Sequence, residues 1–270
     1  MRSSKLTAAL IAATAAMQCF TGCSNKKNSD MPLYAKTPAT TTAAYTVGGS
    51  ELSGDNYNSE EYSDKLLEYV NSAVVDDKEL ELGTVDKTVI SPEEGAQDYE
   101  LGEYRLSSSG VKLYYDENEF PTEMVLMLEK YFTSFASADY NTYLKCIAPS
   151  YVAEMDTFLA KDYDYDLRTS FAKHCATIAD GMCGDFKITR LKVEKSTSSE
   201  DGTDSVEEFF QYLNEDFDKD YYSEVKDNSD ELFPVCFYLM CENGYGKETM
   251  LVQASDIFLA VKDGRYYTFG

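Results

Sequence analysis

The sequence predicts an α+β fold, with amino-terminal helices packed on a strongly bent antiparallel sheet and a further helix inserted at about 205–226. Three observations carry it. Apolar residues recur at helical spacing from Glu123 to Ile147, apolar strand-like runs fill 232–269, and Asp263-Gly264 supplies a tight hairpin turn near the end.

The chain opens with Arg2 and Lys5 before a weakly apolar run, LTAALIAATAAMQCF, and then Thr21-Gly22-Cys23. A positive flank, a short apolar centre and small residues before a cut site form a secretory signal. The run is too short for a membrane span of ~20 residues. Residues 1–22 are therefore expected to be a signal peptide, and 23–56, rich in Thr, Ser, Ala, Gly and Asn, a disordered tether. Residues 57–110 are expected to be acidic and mostly disordered. One short helix is predicted within them, over 59–73, where Tyr62, Leu66, Tyr69 and Val70 fall on one face behind Ser59 as its cap. The α+β domain is expected over 111–270.

Within that domain Val111–Tyr115 is a short strand leading into Pro121. The helical run that follows places Met124, Leu128, Tyr131, Phe132 and Phe135 on one side, then breaks at Ser137-Ala138-Asp139, where Asp139 caps a second helix. Pro149 closes that one. Tyr151–Leu159 is a third helix, and Leu167, Phe171, Cys175 and Ile178 mark a fourth ending at Gly181. A strand begins at Phe186, and the shift of apolar phase between Ile188 and Leu191 predicts a bulge or strong twist. Ser205 and Glu208 form a capping box for a helix that carries Val206, Phe209, Phe210, Leu213 and Phe217. In the 235–241 strand both faces are apolar, which calls for cover on both sides of the sheet: the opening helices on one, and the 205–217 helix or a second copy of the chain on the other. Asp256 interrupts the apolar run 248–261 and marks a bend in it.

Composition narrows function mainly by exclusion. Forty-eight acidic residues against 24 basic ones give a formal charge of −24, a field that repels nucleic acid and anionic headgroups. Of the seven cysteines, Cys146, Cys175, Cys183, Cys236 and Cys241 lie in the domain, an odd number without a C-x-x-C, which points to buried free thiols. His174 is the sole histidine. It precedes Cys175 on a helix, where neighbours diverge by about 100° and do not pair. No Ser-His-Asp set, G-x-S-x-G or Gly-rich phosphate loop is present. Asp162, Asp164 and Asp166 alternate as in a calcium loop but lack its glycine and closing glutamate, so no metal site is assigned. No cofactor is expected.

Phe20-Thr21-Gly22-Cys23 resembles the lipobox of bacterial lipoproteins, with Phe20 in place of the usual leucine. The resemblance implies acylation of Cys23 and a protein anchored by lipid on the extracytoplasmic face of the cell membrane, as in secreted lipoproteins of Gram-positive bacteria. From Val111 onward the chain resembles the nuclear transport factor two-like superfamily, the cone-shaped fold shared with ketosteroid isomerase-like proteins. The matching stretches are Tyr131-Phe132-Thr-Ser-Phe135-Ala136-Ser-Ala-Asp139-Tyr140, Ala148-Pro149-Ser-Tyr151 and Phe258-Leu-Ala-Val261-Lys-Asp263-Gly264-Arg-Tyr266-Tyr. That resemblance implies a cone interior, for which Tyr131, Phe135, Tyr143, Phe237, Leu239 and Phe258 are the candidate lining. It carries no catalytic residue over. The functional expectation is a non-catalytic module binding a small ligand or a protein. The alternatives are an isomerase- or dehydratase-like enzyme using Asp256 as a buried acid, or a structural domain that homodimerises through its sheet.

Overall fold

The computed structural model describes residues 47–48, 50–96, 99–197 and 205–270. The expected signal peptide over 1–22, Cys23 and the expected tether up to residue 46 lie outside the described residues. Among the described residues there are seven α-helices: α1 (Ser59–Ser72), α2 (Thr122–Ser137), α3 (Tyr140–Cys146), α4 (Pro149–Tyr163), α5 (Leu167–Met182), α6 (Ser205–Phe217) and α7 (Tyr221–Asn228). Six strands, β1 (Arg105–Leu106), β2 (Lys112–Tyr114), β3 (Lys187–Lys195), β4 (Glu231–Glu242), β5 (Glu248–Lys262) and β6 (Arg265–Thr268), form one curled sheet in sequential order. No described helix is long and apolar enough to cross a membrane.

The sheet is mixed, which corrects the antiparallel expectation: β2 and β3 run parallel, and every other pair is antiparallel. The chain leaves β2 and returns as β3 only after α2–α5, and a parallel neighbour requires such a crossover.

Helix α2 is buried on more than the one face expected of it. Met124, Val125, Met127 and Leu128 are each at most 2% exposed, and Leu126, Glu129, Tyr131, Phe132 and Ser134 are buried as well. A helix apolar around most of its girth belongs inside, and α2 lies against β3, β6, α3 and α5. The break that follows is as expected. Ala138 takes the left-handed conformation (φ 50), and the Asp139 carboxylate accepts the Thr142 N–H (3.0 Å) and hydroxyl (2.7 Å). Pro149 is the first residue of α4. The turn before it holds Ile147 and Ala148 extended, which ends α3 early. The Ala148 N–H then donates to the Thr268 carbonyl, joining this corner to β6.

Helix α5 runs through Gly181 and stops at Cys183 (φ 57), where the Gly184 N–H reaches back to the Ala179 carbonyl. The stop is displaced because the end of α5 is a packing point. The Gly244 N–H donates to the Met182 carbonyl, and a Cβ on Gly244 would lie 2.1 Å from the Cys183 oxygen. Helix α1 is capped by Asn58 rather than Ser59, and it packs on α5. The Arg168 guanidinium closes its far end on the carbonyls of Asn71 (3.2 Å) and Ala73 (2.9 Å).

Register fixes which residues share a face. Val193 lies opposite Phe237, and Val235 opposite Ile257; with Leu191, Leu239 and Leu259 they line the side on which Phe237 meets Phe132 at 4.6 Å. Phe258 points to the other side, and Phe209 of α6 stacks on it at 4.2 Å, so α6 supplies the second cover there. The β3 bulge falls at Thr189, as the phase shift predicted. It brings Thr189 and Arg190 onto the same carboxylate, Glu248, at 2.6 and 2.5 Å. In β5 the irregularities sit not at Asp256 but at Ala254 (φ 92), where two residues of β5 oppose Tyr238 alone, and at Leu251, which falls between the partners of Leu239 and Met240.

The Ser107-Ser108-Ser109-Gly110 stretch, at the end of the segment expected to be mostly disordered, is a hub. Ser108 bonds to Thr84, Ser107 to Val111, and the Ser107 and Ser109 hydroxyls both donate to Glu129 of α2. Glu129 is 2% exposed, and burial pushes its carboxyl above the usual range despite the two hydroxyls. A carboxyl with a raised native pKa favours the fold when protonated, and that contribution is lost as pH rises through the native value. Glu129→Gln keeps an acceptor for the serines and removes the charge. In thermal melts it should therefore be more stable than wild type at neutral pH, by about 1–2 kcal/mol, with the gap closing below about pH 4. A gap independent of pH would contradict this assignment.

Candidate functional site

The six residues expected to line an interior do not converge. Tyr131, Phe135 and Tyr143 do meet, with ring centroids 5.2–6.1 Å apart, and Phe171 of α5 stands 4.5 Å from Tyr143 and 5.3 Å from Phe135. These rings fill the layer between α2, α3 and α5. Burial raises the Tyr131 and Tyr143 hydroxyls far above the ordinary tyrosine range. Phe237 reaches this cluster only through Phe132, 4.6 Å from it and 5.1 Å from Tyr131, Leu239 is buried between Leu191 and Val252, and Phe258 serves α6 on the opposite face.

Asp256 is half-buried on that opposite face, across from Cys236, and accepts the Ser196 hydroxyl at 2.7 Å. Glu194 flanks Cys236 on its other side, and the thiol is pushed up by burial first and then by the two carboxylates. A thiol raised in this way is a poor nucleophile at neutral pH. His174 is half-buried on α5, and desolvation holds its imidazole below the ordinary value. Asp164 and Asp166 are helix-end residues, the first in a left-handed turn and the second capping α5 through the Thr169 N–H. Among the described residues no group of three potential ligands is placed to hold a metal ion.

A cleft of about 630 Å³ opens elsewhere, beyond the carboxyl ends of the parallel pair β2 and β3. One wall is the turn Tyr115–Phe120 after β2, and the others are the end of β3 and the segment leading into β1. The turn is built by Asp116, whose carboxylate accepts the Asn118 N–H (2.9 Å) while its carbonyl accepts those of Glu119 and Phe120. Glu117 and Glu119 thereby face the opposing walls. Arg105 of β1 grips Glu117 with both terminal nitrogens at 2.8 Å, and Lys195 of β3 reaches Glu119 at 2.5 Å. Lys192 and Glu194 pair at 2.5 Å on the floor. Tyr104 lies against Tyr114 at 5.3 Å and carries the Lys112 ammonium 4.5 Å from its ring centroid. The lining holds five carboxylates against three cations.

Sequence reasoning missed this cleft because its walls come from three distant stretches, one of them read as lacking order. The available signal was Asp116-Glu117-Asn118-Glu119, an acidic turn directly after a strand, and it was read only as the approach to Pro121.

None of the five domain cysteines forms a disulfide, and burial raises the Cys146 and Cys241 thiols to about 12 and Cys175 well above its usual range. Alkylation of the native protein at pH 8 should leave these three unmodified, with labelling appearing only on denaturation. Rapid labelling of Cys175 in the folded chain would contradict this. Comparison with family models, with curated proteins and with solved structures finds no match for this chain.

Proposed function

We propose that the chain is an exported lipoprotein, held on the outer face of a cell membrane through lipid on Cys23, and that it presents a non-catalytic binding module whose ligand enters the cleft between β1, β3 and the Tyr115–Phe120 turn. The observation that carries the binding reading is the cleft itself. Its size suits a small ligand, and its charged side chains engage one another in pairs, two across the opening and one along β3, offering donors and acceptors rather than a nucleophile beside a base. Support for the anchoring reading comes from the lipobox-like Phe20-Thr21-Gly22-Cys23 and the polar stretch behind it. We read the domain as a variant of the nuclear transport factor two-like cone. In its favour stand the curled sheet, the central helix and the broken α2–α3 pair. The parallel β2–β3 pair and the α6–α7 insertion set it apart.

Expression in a Gram-positive host with a clickable fatty acid tests the anchor. The wild-type chain should carry the label and sediment with membranes. Cys23→Ala should lose the label and appear in the medium. Equal labelling and membrane retention of both would sink the lipoprotein reading.

A further inference from the structure

Resting on the cleft as the ligand site, we propose that its ligand is an organic cation, an ammonium or guanidinium on an apolar stem, with Glu119 as its principal counter-ion. The ion pairs already in the cleft show what its walls accept. Glu117 and Glu119 both project from the turn after β2, and each is met by a cation arriving from another element, Arg105 from β1 and Lys195 from β3.

The two pairs differ in how replaceable they are. The Arg105 side chain is 18% exposed and bound through two parallel hydrogen bonds, so it is fixed in place. Lys195 is 70% exposed, on a flexible stem at the end of its strand, and holds Glu119 through one contact. An exposed pair of that kind contributes little, roughly 0–1 kcal/mol, so an incoming cation can displace it. Lys195 thus acts as an internal competitor for the Glu119 carboxylate. The balance of charge points the same way, with five carboxylates against three cations in the lining and −24 on the chain. That field raises the local concentration of cations and repels anions. Val89, 45% exposed, and Leu101 at the mouth offer apolar surface for the stem. The cation has two sources with one chemistry, a free amine or a basic side chain of an exposed peptide.

Calorimetric titration of the full chain with diaminopentane, with a blocked lysine peptide, with its norleucine counterpart and with glutarate tests the proposal. The two cationic probes should bind and the other two should not. Affinity should fall as salt rises from about 0.05 to about 0.5 M. Whichever cationic probe binds more tightly identifies the source. Two substitutions should act in opposite directions. Glu119→Gln should weaken cation binding about fivefold or more, whereas Lys195→Met should strengthen it at least about twofold by releasing the carboxylate. Glu60→Gln on α1, equally exposed and remote, should change nothing. Equal binding of the norleucine peptide, or shifts of the same sign in Glu119→Gln and Lys195→Met, overturns the proposal. Binding of the neutral or anionic probe at cleft residues, followed by NMR, would overturn the cation while leaving the cleft as a ligand site. If no probe perturbs those residues, both readings fail.

Discussion

Everything in this fold depends on α2 being enclosed. A helix at a surface buries one stripe, but α2 hides Met124, Val125, Met127 and Leu128 almost completely while also presenting Phe132 to the sheet and Tyr131 to α3. Fully burying side chains of this size contributes roughly 1.5–3 kcal/mol each. Four of them match the net stability of a typical domain, about 5–15 kcal/mol. The Asp139 cap, of order 1 kcal/mol, sets where the helix ends but does not decide whether it forms. The sheet curls around α2, and α5 closes the side that the sheet leaves open.

Enclosure also explains the two least expected features. The chain leaves β2 through α2 and re-enters the sheet beside it only after α3–α5, a crossover that makes β2 and β3 parallel and leaves the cleft beyond their carboxyl ends. An enclosed helix with a glutamate at its centre needs donors. The Ser107–Gly110 turn supplies two hydroxyls to Glu129, and in doing so it docks the β1–β2 connection onto α2.

How much could be read from the chain follows from the range of the forces involved. Local signals were legible: helical spacing in 123–147, the Asp139 cap, the β3 bulge at a phase slip and the Asp263-Gly264 turn; the need for a second cover was legible too, but whether α6 or another copy of the chain supplied it was not. The errors came where a distant partner decided the outcome. Gly181 looked like the end of α5, but the stop moved to Cys183 because Gly244 has to pack there. Ser107–Gly110 falls in the segment expected to be mostly disordered, and it takes its order from a helix some twenty residues on. The expected lining fared similarly. Tyr131, Phe135 and Tyr143, named as lining from the family resemblance, pack against one another between helices, and strand parity puts Phe258 on the far face, away from Phe237. The cleft was invisible because no single stretch contains it.

The claim that α2 is the enclosed centre can be measured directly by hydrogen exchange of the native chain, resolved to single amides. If the account holds, the amides from Met124 to Phe132 exchange last, together with the middle of β3 and β4, through opening of the whole domain. Exchange of those α2 amides as fast as in α7, the short peripheral helix, would contradict it.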